Sequence, residues 1–426
     1  MAGLIIGNVI GAGIFGLTGE LTRLLGRPSP LAMVLAALGI AVIMAAIAEV
    51  ASQFSDAGGS YLYVRTSFGR FAGILVGWFW LLSLLAAPAA CANLFLAYLG
   101  QFVPVVGHGM ARALMITFLI AVPAIANCVG VRSGANFCNF FTVSKLLPLA
   151  LLIMLGLFRF GRHFETIHVS EITSPGLTGW LNAFLLLLFA YCGCEDTLAP
   201  MGEVRDPRRT VPFALAIGLL VIASIYSLLQ FVTVSTIGNV STDSPLVQAA
   251  TVLTGRSGAA FVAVAAMIST YGTIALAILF APRVAYAFSA HGDLPHSLTR
   301  LHRRFNTPIV AIVIFSSIVW LLALSGTFLL LAAVAAGAVA IQYGAICAAL
   351  IRLRRIQPNT PALRLSWGPV FALLGIAICL VLITRLNPRE LLLMGITAAI
   401  AAANWALARK YEMSKMKTDV AVASAK

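Results

Sequence analysis

The chain has 426 residues, of which 61% are hydrophobic and 10% charged, and it carries a formal net charge of +14. Soluble domains average about 45–50% apolar and about 25% charged residues, so this chain has too little polar surface to fold in water. A soluble enzyme, a coiled coil and a disordered chain are excluded, and an integral membrane protein remains.

A spanning helix needs about 20 mostly apolar residues. Twelve runs are candidates: 2–25, 30–52, 71–99, 113–131, 140–158, 179–201, 213–236, 258–288, 309–324, 327–351, 368–384 and 391–408. Alternating ten-residue strands are absent, so the spans are read as helices rather than barrel strands and the fold class as all-α.

The first run opens MAGLIIGNVIGAG, without the basic start of a signal peptide, and is interrupted by Gly7, Gly11, Gly13 and Gly16. The second ends near Glu49, which is expected to pair with a loop arginine, as is Glu203. The fifth contains Lys145, the eighth ends near Arg283, and the sixth is interrupted by Gly193 and Pro200 with Glu195 and Asp196 between them. Runs one and six open two successive five-span blocks. Glycine and proline weaken a helix interior, and matching breaks in two halves point to a transporter's central site. The alternative is that the glycines only let helices pack closely.

Counting Lys and Arg by side, one set of loops with the C-terminal tail holds 18 basic residues and the other set eight. The richer side is read as cytoplasmic, and an even number of spans puts both termini there. The chain then divides into 1–160 (helices 1–5), 175–356 (helices 6–10), 365–408 (two additional helices) and a tail at 409–426. The basic surplus follows from topology, and nucleic acid is not expected as a partner.

Two unwound segments side by side would expose free N–H groups at one half-helix start and free carbonyls at the other end. The first suit a carboxylate and the second an ammonium group, so such a site fits a zwitterion of amino-acid size. Gly11, Ala12 and Gly13 would offer N–H groups, and the carbonyls of Ile10, Phe189, Ala190 and Cys192 are candidates for the ammonium. Missing side chains let a ligand approach the backbone itself.

Charged residues within spans are costly and carry functional hypotheses. Lys145 either snorkels to the interface or stands as a fixed cation beside the broken first helix, in place of a bound Na⁺ and able to carry a proton. Glu195 could take protons, attract a cationic side chain or cap the next half-helix; for Asp196 the capping role is favoured. The six histidines fall in loops, which argues against a histidine relay. The seven cysteines lie in or beside apolar runs and read as small apolar residues rather than disulfides. Cys192 and Cys194 make a weak metal cluster, so neither metal nor cofactor is expected. Continuous polar linings of the kind channels need are not evident.

The chain resembles the amino acid–polyamine–organocation (APC) superfamily of permeases. The stretches that carry the resemblance are GNVIGAGIF (7–15), AEVASQFSDAGGSYLYVRTSFG (48–69), FAYCGCEDTLAPMGEVRDPRRTVP (189–212) and RVAYAFSAHGDLPHSLTRLHRRFNTP (283–308). The resemblance implies a leucine-transporter-like fold of twelve transmembrane helices: a five-plus-five inverted repeat, discontinuous helices 1 and 6, and two C-terminal helices. It also implies transport rather than enzymatic catalysis: a secondary active, Na⁺-independent carrier of amino acids in the cell membrane, proton-coupled or an exchanger. The alternative is an antiporter of cationic amino acids, amines or polyamines. By position, the resemblance makes Gly11, Ala12 and Gly13 the carboxylate site. Phe189, Ala190, Tyr191 and Gly193 would line the sixth helix, with Tyr191 as an aromatic lid. Lys145 would match the fifth-helix lysine of sodium-independent members, and Ser269, Thr270 and Thr273 would support the site.

Overall fold

The computed structural model describes residues 2–54, 58–130, 134–162, 175–195, 207–237, 244–290, 292–295, 298, 300–302, 304–305, 307–357 and 363–424. Among these residues the regular structure is entirely helical. Asp196, Pro200, Glu203 and the side chain of Cys138 lie outside the described set.

The first apolar run is split into α1 (Ala2–Val9) and α2 (Ala12–Leu25). Helix α3 (Ser29–Ala51) starts on prolines at and just after its boundary, where the missing N–H costs nothing. A short helix, α4 (Gly59–Phe68), precedes α5 (Arg70–Leu99). Then follow α6 (Gly109–Val129), α7 (Gly134–Arg162) and α8 (Leu177–Tyr191). Helix α9 is Pro207–Ile237, and α10 is Pro245–Ala290 with a kink at Gly255. The chain ends with α11 (Ile309–Ser325), α12 (Phe328–Ile356), α13 (Gly368–Ile383) and α14 (Pro388–Ser424). Helix α12 is capped by Thr327, whose hydroxyl accepts from Leu330 N at 3.4 Å, and carries Arg354 and Arg355 in its last turn, where a cation complements the helix dipole.

Three elements differ from the sequence expectation. Residues 59–68 are a helix rather than a loop: too short to span, it packs Tyr61 on Phe288 and Tyr63 on Phe54. The stretch before residue 258 is also helical, joined to the next segment across the Gly255 kink. Helix α14 continues past 408 to Ser424, through a stretch that includes Lys, Met and Ala, all good helix formers.

Among the described residues, seven helices are long and apolar enough to cross a bilayer, and α8, α11 and α13 are shorter apolar helices. Large apolar side chains stay exposed along α6 (Leu114, Phe118, Ile125), α13 (Leu373, Leu380) and α14 (Leu392, Ile396). A surface of that kind belongs in lipid. Inside, α5 lies against α12 and α10, α3 against α9 and α13, and α2 against α8. Both α5 and α12, which pack on each other, carry small buried residues such as Ala86, Ala89, Ala332 and Ala336, of the kind that let backbones approach in a membrane.

Two charged nodes brace one end of the bundle. Glu49, fully buried at the end of α3, receives Arg354 Nε at 2.6 Å and Nη2 at 2.8 Å, together with Leu365 N at 3.1 Å. This is the arginine pairing expected of Glu49. Asp293, just past α10 and 2% exposed, receives Arg65 Nη1 at 2.7 Å, Arg70 Nε at 2.6 Å and the Tyr61 hydroxyl. Its carbonyl oxygen accepts from Asn404 Nδ2 of α14 at 2.7 Å. One buried aspartate therefore gathers α4 and α5 through its carboxylate and α14 through its backbone carbonyl around the end of α10.

Candidate functional site

The site begins with the two interruptions. Helix α1 stops at Val9, Gly11 leaves helical geometry (φ −127°, ψ −133°), and α2 starts at Ala12 with no side-chain cap. The first N–H groups of a helix have no intrahelical acceptor, so Gly11, Ala12 and Gly13 present an electropositive helix start. Helix α8 stops at Tyr191, Cys192 is extended, and Gly193 adopts φ +102°, a conformation that side-chain-bearing residues rarely take.

The interruptions touch. Asn8 Nδ2 donates to Gly193 O at 2.7 Å. The Tyr226 hydroxyl of α9 lies 3.1 Å from Val9 O and 3.3 Å from Ala190 O, so its single proton serves the ends of both α1 and α8. A Cβ built on Gly13 would lie 2.6 Å from Ala190 Cα, so α2 and α8 meet there backbone to backbone. Gly13 is therefore a packing glycine as well as part of the helix start. Gly13→Ala is expected to lower stability by about 1–3 kcal/mol through overpacking, read as an earlier thermal unfolding transition in detergent; an unchanged transition would contradict the close crossing.

A cavity of about 280 Å³ opens between these segments, α5, α10 and α12. Gly11, Ala12, Gly13, Phe189, Cys192, Gly193, Lys145, Glu195 and Thr273 are all on its wall. Ile10, Ala190, Tyr191, Ser269 and Thr270 are buried but not among the lining residues. Tyr191 is turned from the position of a lid: its hydroxyl donates to Met33 O at 3.0 Å and its ring packs on Tyr226 at 5.3 Å. The aromatic on the cavity side is Phe189, edge-on to Phe328 of α12 at 6.2 Å. Thr270 Oγ1 donates to Ala266 O at 2.8 Å, and Thr273 Oγ1 to Ser269 O at 3.1 Å.

A lysine and a glutamate are buried at the cavity. Lys145 of α7 is 3% exposed and its Nζ donates to the Gly7 carbonyl of α1, one turn from the break. Its ammonium is thus directed at the end of the first half-helix rather than at an interface. Glu195, 7% exposed, accepts the Gly193 N–H at 2.9 Å and the Tyr343 hydroxyl of α12. It caps the turn that follows α8 while its carboxylate borders the cavity.

Several wall or bracing residues had no place in the sequence expectation. Asn8, Tyr226 and Tyr343 are uncharged polar residues inside apolar runs, and that polarity was the signal for them. Pro88 lies inside α5 and lines the cavity with Leu84. Lacking an N–H, Pro88 cannot make the helical hydrogen bond to the Leu84 carbonyl four residues back. Ser83 and Arg283 complete the polar lining.

With this geometry in hand, comparison with known proteins is informative. A family model described as amino acid permease matches residues 1–404. The serine/threonine exchanger SteT of Bacillus subtilis (strain 168) is 30% identical over 325 residues, covering 72% of this chain and 72% of its own. The branched-chain amino acid permease BcaP of the same organism is 27% identical over 411 residues, covering 90% and 86%. Cationic amino acid transporter 4 of Mus musculus is 28% identical over 341 residues, covering 75% of this chain but 53% of its own.

Proposed function

Since the chain belongs to the amino acid permease family of the APC superfamily, as a multi-pass membrane protein, we propose that it is a secondary active, Na⁺-independent transporter of amino acids. It works by alternating access, as a proton-coupled carrier or an exchanger. The proposed architecture is twelve spans in a five-plus-five inverted repeat followed by two helices. Helix 1 is α1 with α2, helix 6 starts with α8, and both termini are cytoplasmic.

In this reading the substrate carboxylate is held by the N–H groups at the start of α2, and its ammonium group by carbonyls at the ends of α1 and α8. The side chain lies towards Leu84, Leu276 and Phe280 on the cavity wall. Rocking of one helix group against the other then exchanges the side from which the cavity opens. A substrate drives that change only through a difference in affinity between the two states.

The observation that carries the reading is the buried Lys145 ammonium on the Gly7 carbonyl. A fixed cation at a broken helix end supplies the positive charge that a bound Na⁺ would otherwise bring. In proteoliposomes, uptake should therefore be unchanged when Na⁺ is replaced by choline, and strict Na⁺ dependence would overturn it. A thermal-shift panel of the twenty amino acids and common diamines names the substrate, because a ligand of the folded state stabilises it by mass action. A second reading, an antiporter of cationic amino acids, amines or polyamines, is favoured by one feature, the buried Glu195 carboxylate at the cavity. Stabilisation by arginine, ornithine or diamines alone would select it.

A further inference from the structure

The wall of the central cavity carries a charge that backbone recognition of a zwitterion leaves unused. Thr273, Leu276, Phe280 and Arg283 of α10 all line it, at helical spacing, so one face of the helix follows the cavity. Thr273 marks the deep end of this face: a Cβ built on Gly11 would lie 3.0 Å from its Oγ1. At 1.5 Å per residue, Arg283 lies roughly 15 Å further along the axis, towards the end of the bundle that Asp293 braces. Arg283 is exposed, whereas Lys145 and Glu195 are buried, so it stands where the cavity opens.

The backbone before Arg283 is held from a second helix. Pro282 has no N–H to give to the Ile278 carbonyl, and Asn127 Nδ2 of α6 donates to it instead, at 2.9 Å.

The guanidinium itself has no partner. Among the described residues, Arg283 makes no hydrogen bond, ion pair or ring contact, whereas Arg65, Arg70, Arg112 and Arg354 all meet oxygen atoms. The charged groups around it are engaged elsewhere. Asp293 takes Arg65, Arg70 and the Tyr61 hydroxyl. On the cavity wall, Glu195 accepts from Gly193 N and Tyr343, and Lys145 donates to Gly7 O. An arginine within a span is costly unless it meets water or an anion, and it marks a solute path by default. Its planar fork matches a carboxylate, and its permanent charge repels an ammonium or a second guanidinium.

Resting on the amino acid transport reading, we propose that Arg283 is a specificity-determining residue of the central site, selecting amino acids without a cationic side chain. Its guanidinium receives a carboxylate where the cavity opens and disfavours a surplus positive charge there. The solutes are then neutral and acidic amino acids, in preference to cationic ones, amines and polyamines.

The test compares glutamine, glutamate and ornithine, which have similar lengths and neutral, negative and positive side chains. Dissociation constants are measured by thermal-shift titration of the full-length purified protein in detergent at low salt. Ornithine should bind about tenfold more weakly than glutamine, as expected of a like charge a few ångströms away in a partly screened cavity. In Arg283→Gln that ratio should fall towards one and glutamate should weaken relative to glutamine, while Arg283→Lys should keep the order. A purely structural role would move the three constants together. Unchanged ratios in Arg283→Gln, or ornithine bound as tightly as glutamine by the unaltered protein, would overturn the proposal. If Arg283→Gln fails to fold, salt decides on the unaltered protein: the ornithine deficit should shrink as salt rises, and a deficit indifferent to salt overturns the assignment. Silence of all three while another amino acid binds also overturns it, because side-chain charge would then not decide binding. Silence of every amino acid overturns the transport reading itself, whereas binding with unchanged ratios counts against Arg283 alone.

Discussion

Arg354→Ala is expected to destabilise the protein by about 3–5 kcal/mol, the usual cost of stranding one member of a buried ion pair. Glu49 has no solvent exposure, and Arg354 meets both of its oxygens while also donating to Leu365 O at 2.6 Å. Removing the guanidinium leaves a carboxylate in an apolar surround with only the Leu365 N–H. The pair joins the ends of α3 and α12, so the loss should appear as a lower thermal transition and as protease cleavage near residue 365. Removing both charges together, in Glu49→Gln/Arg354→Met, should recover much of the stability, because no charge is then stranded. A single variant as stable as the parent would mean that water reaches Glu49 readily.

Lys145→Met is expected to reduce uptake in proteoliposomes about 10- to 100-fold and to lower the thermal transition of the ligand-free protein modestly, since the lost hydrogen bond is partly offset by no longer burying an ammonium group. Methionine keeps most of the volume of the lysine stem but cannot donate to Gly7 O. A buried acceptor deprived of its donor costs about 1–3 kcal/mol, and each 1.4 kcal/mol corresponds to roughly a factor of ten. That cost falls on the conformation in which α1 is held at the cavity. The substrate-induced thermal shift should shrink in parallel. Unaltered uptake would remove Lys145 from the transport machinery and reduce its hydrogen bond to a packing detail.

The features that could be read from the sequence are those encoded locally. Unwinding at Gly11 and Gly193 is written in residue types that lower helix stability where they stand. Lys145 is conspicuous because a lysine among leucines is costly in lipid, and the pairing of Glu49 with an arginine follows from the same cost.

What escaped the sequence depends on relations across the chain. Tyr226 serves Val9, 217 positions away, and Asn8 serves Gly193, 185 positions away. A tyrosine or asparagine in an apolar run does not announce such a partner. Tyr191 and Phe189 sit two positions apart on the last turn of α8, about 200° around the helix, so one faces the cavity and the other faces α3. Which of the two faces the cavity depends on how α8 is turned about its axis, and packing alone fixes that orientation. Helix α4 was hidden for another reason: ten residues are too few for a span, and its order comes from aromatic contacts with α10. Asp293 has the same character, since its arginines come from residues 65 and 70 and its carbonyl partner from residue 404.

The hydrogen bonds between the two interruptions have a consequence for selectivity. Asn8 fastens one break to the other, and the Tyr226 hydroxyl is divided between them. Braced in this way, the two jaws of the proposed site act as a calliper with one setting. An α-amino acid, whose charged groups flank a single carbon, is gauged by that opening whatever its side chain. A β-amino acid carries the same charges one methylene further apart and misses one jaw whenever it reaches the other. Such a gauge sorts solutes by the length of their dipole, and the cavity wall is left to sort them by shape.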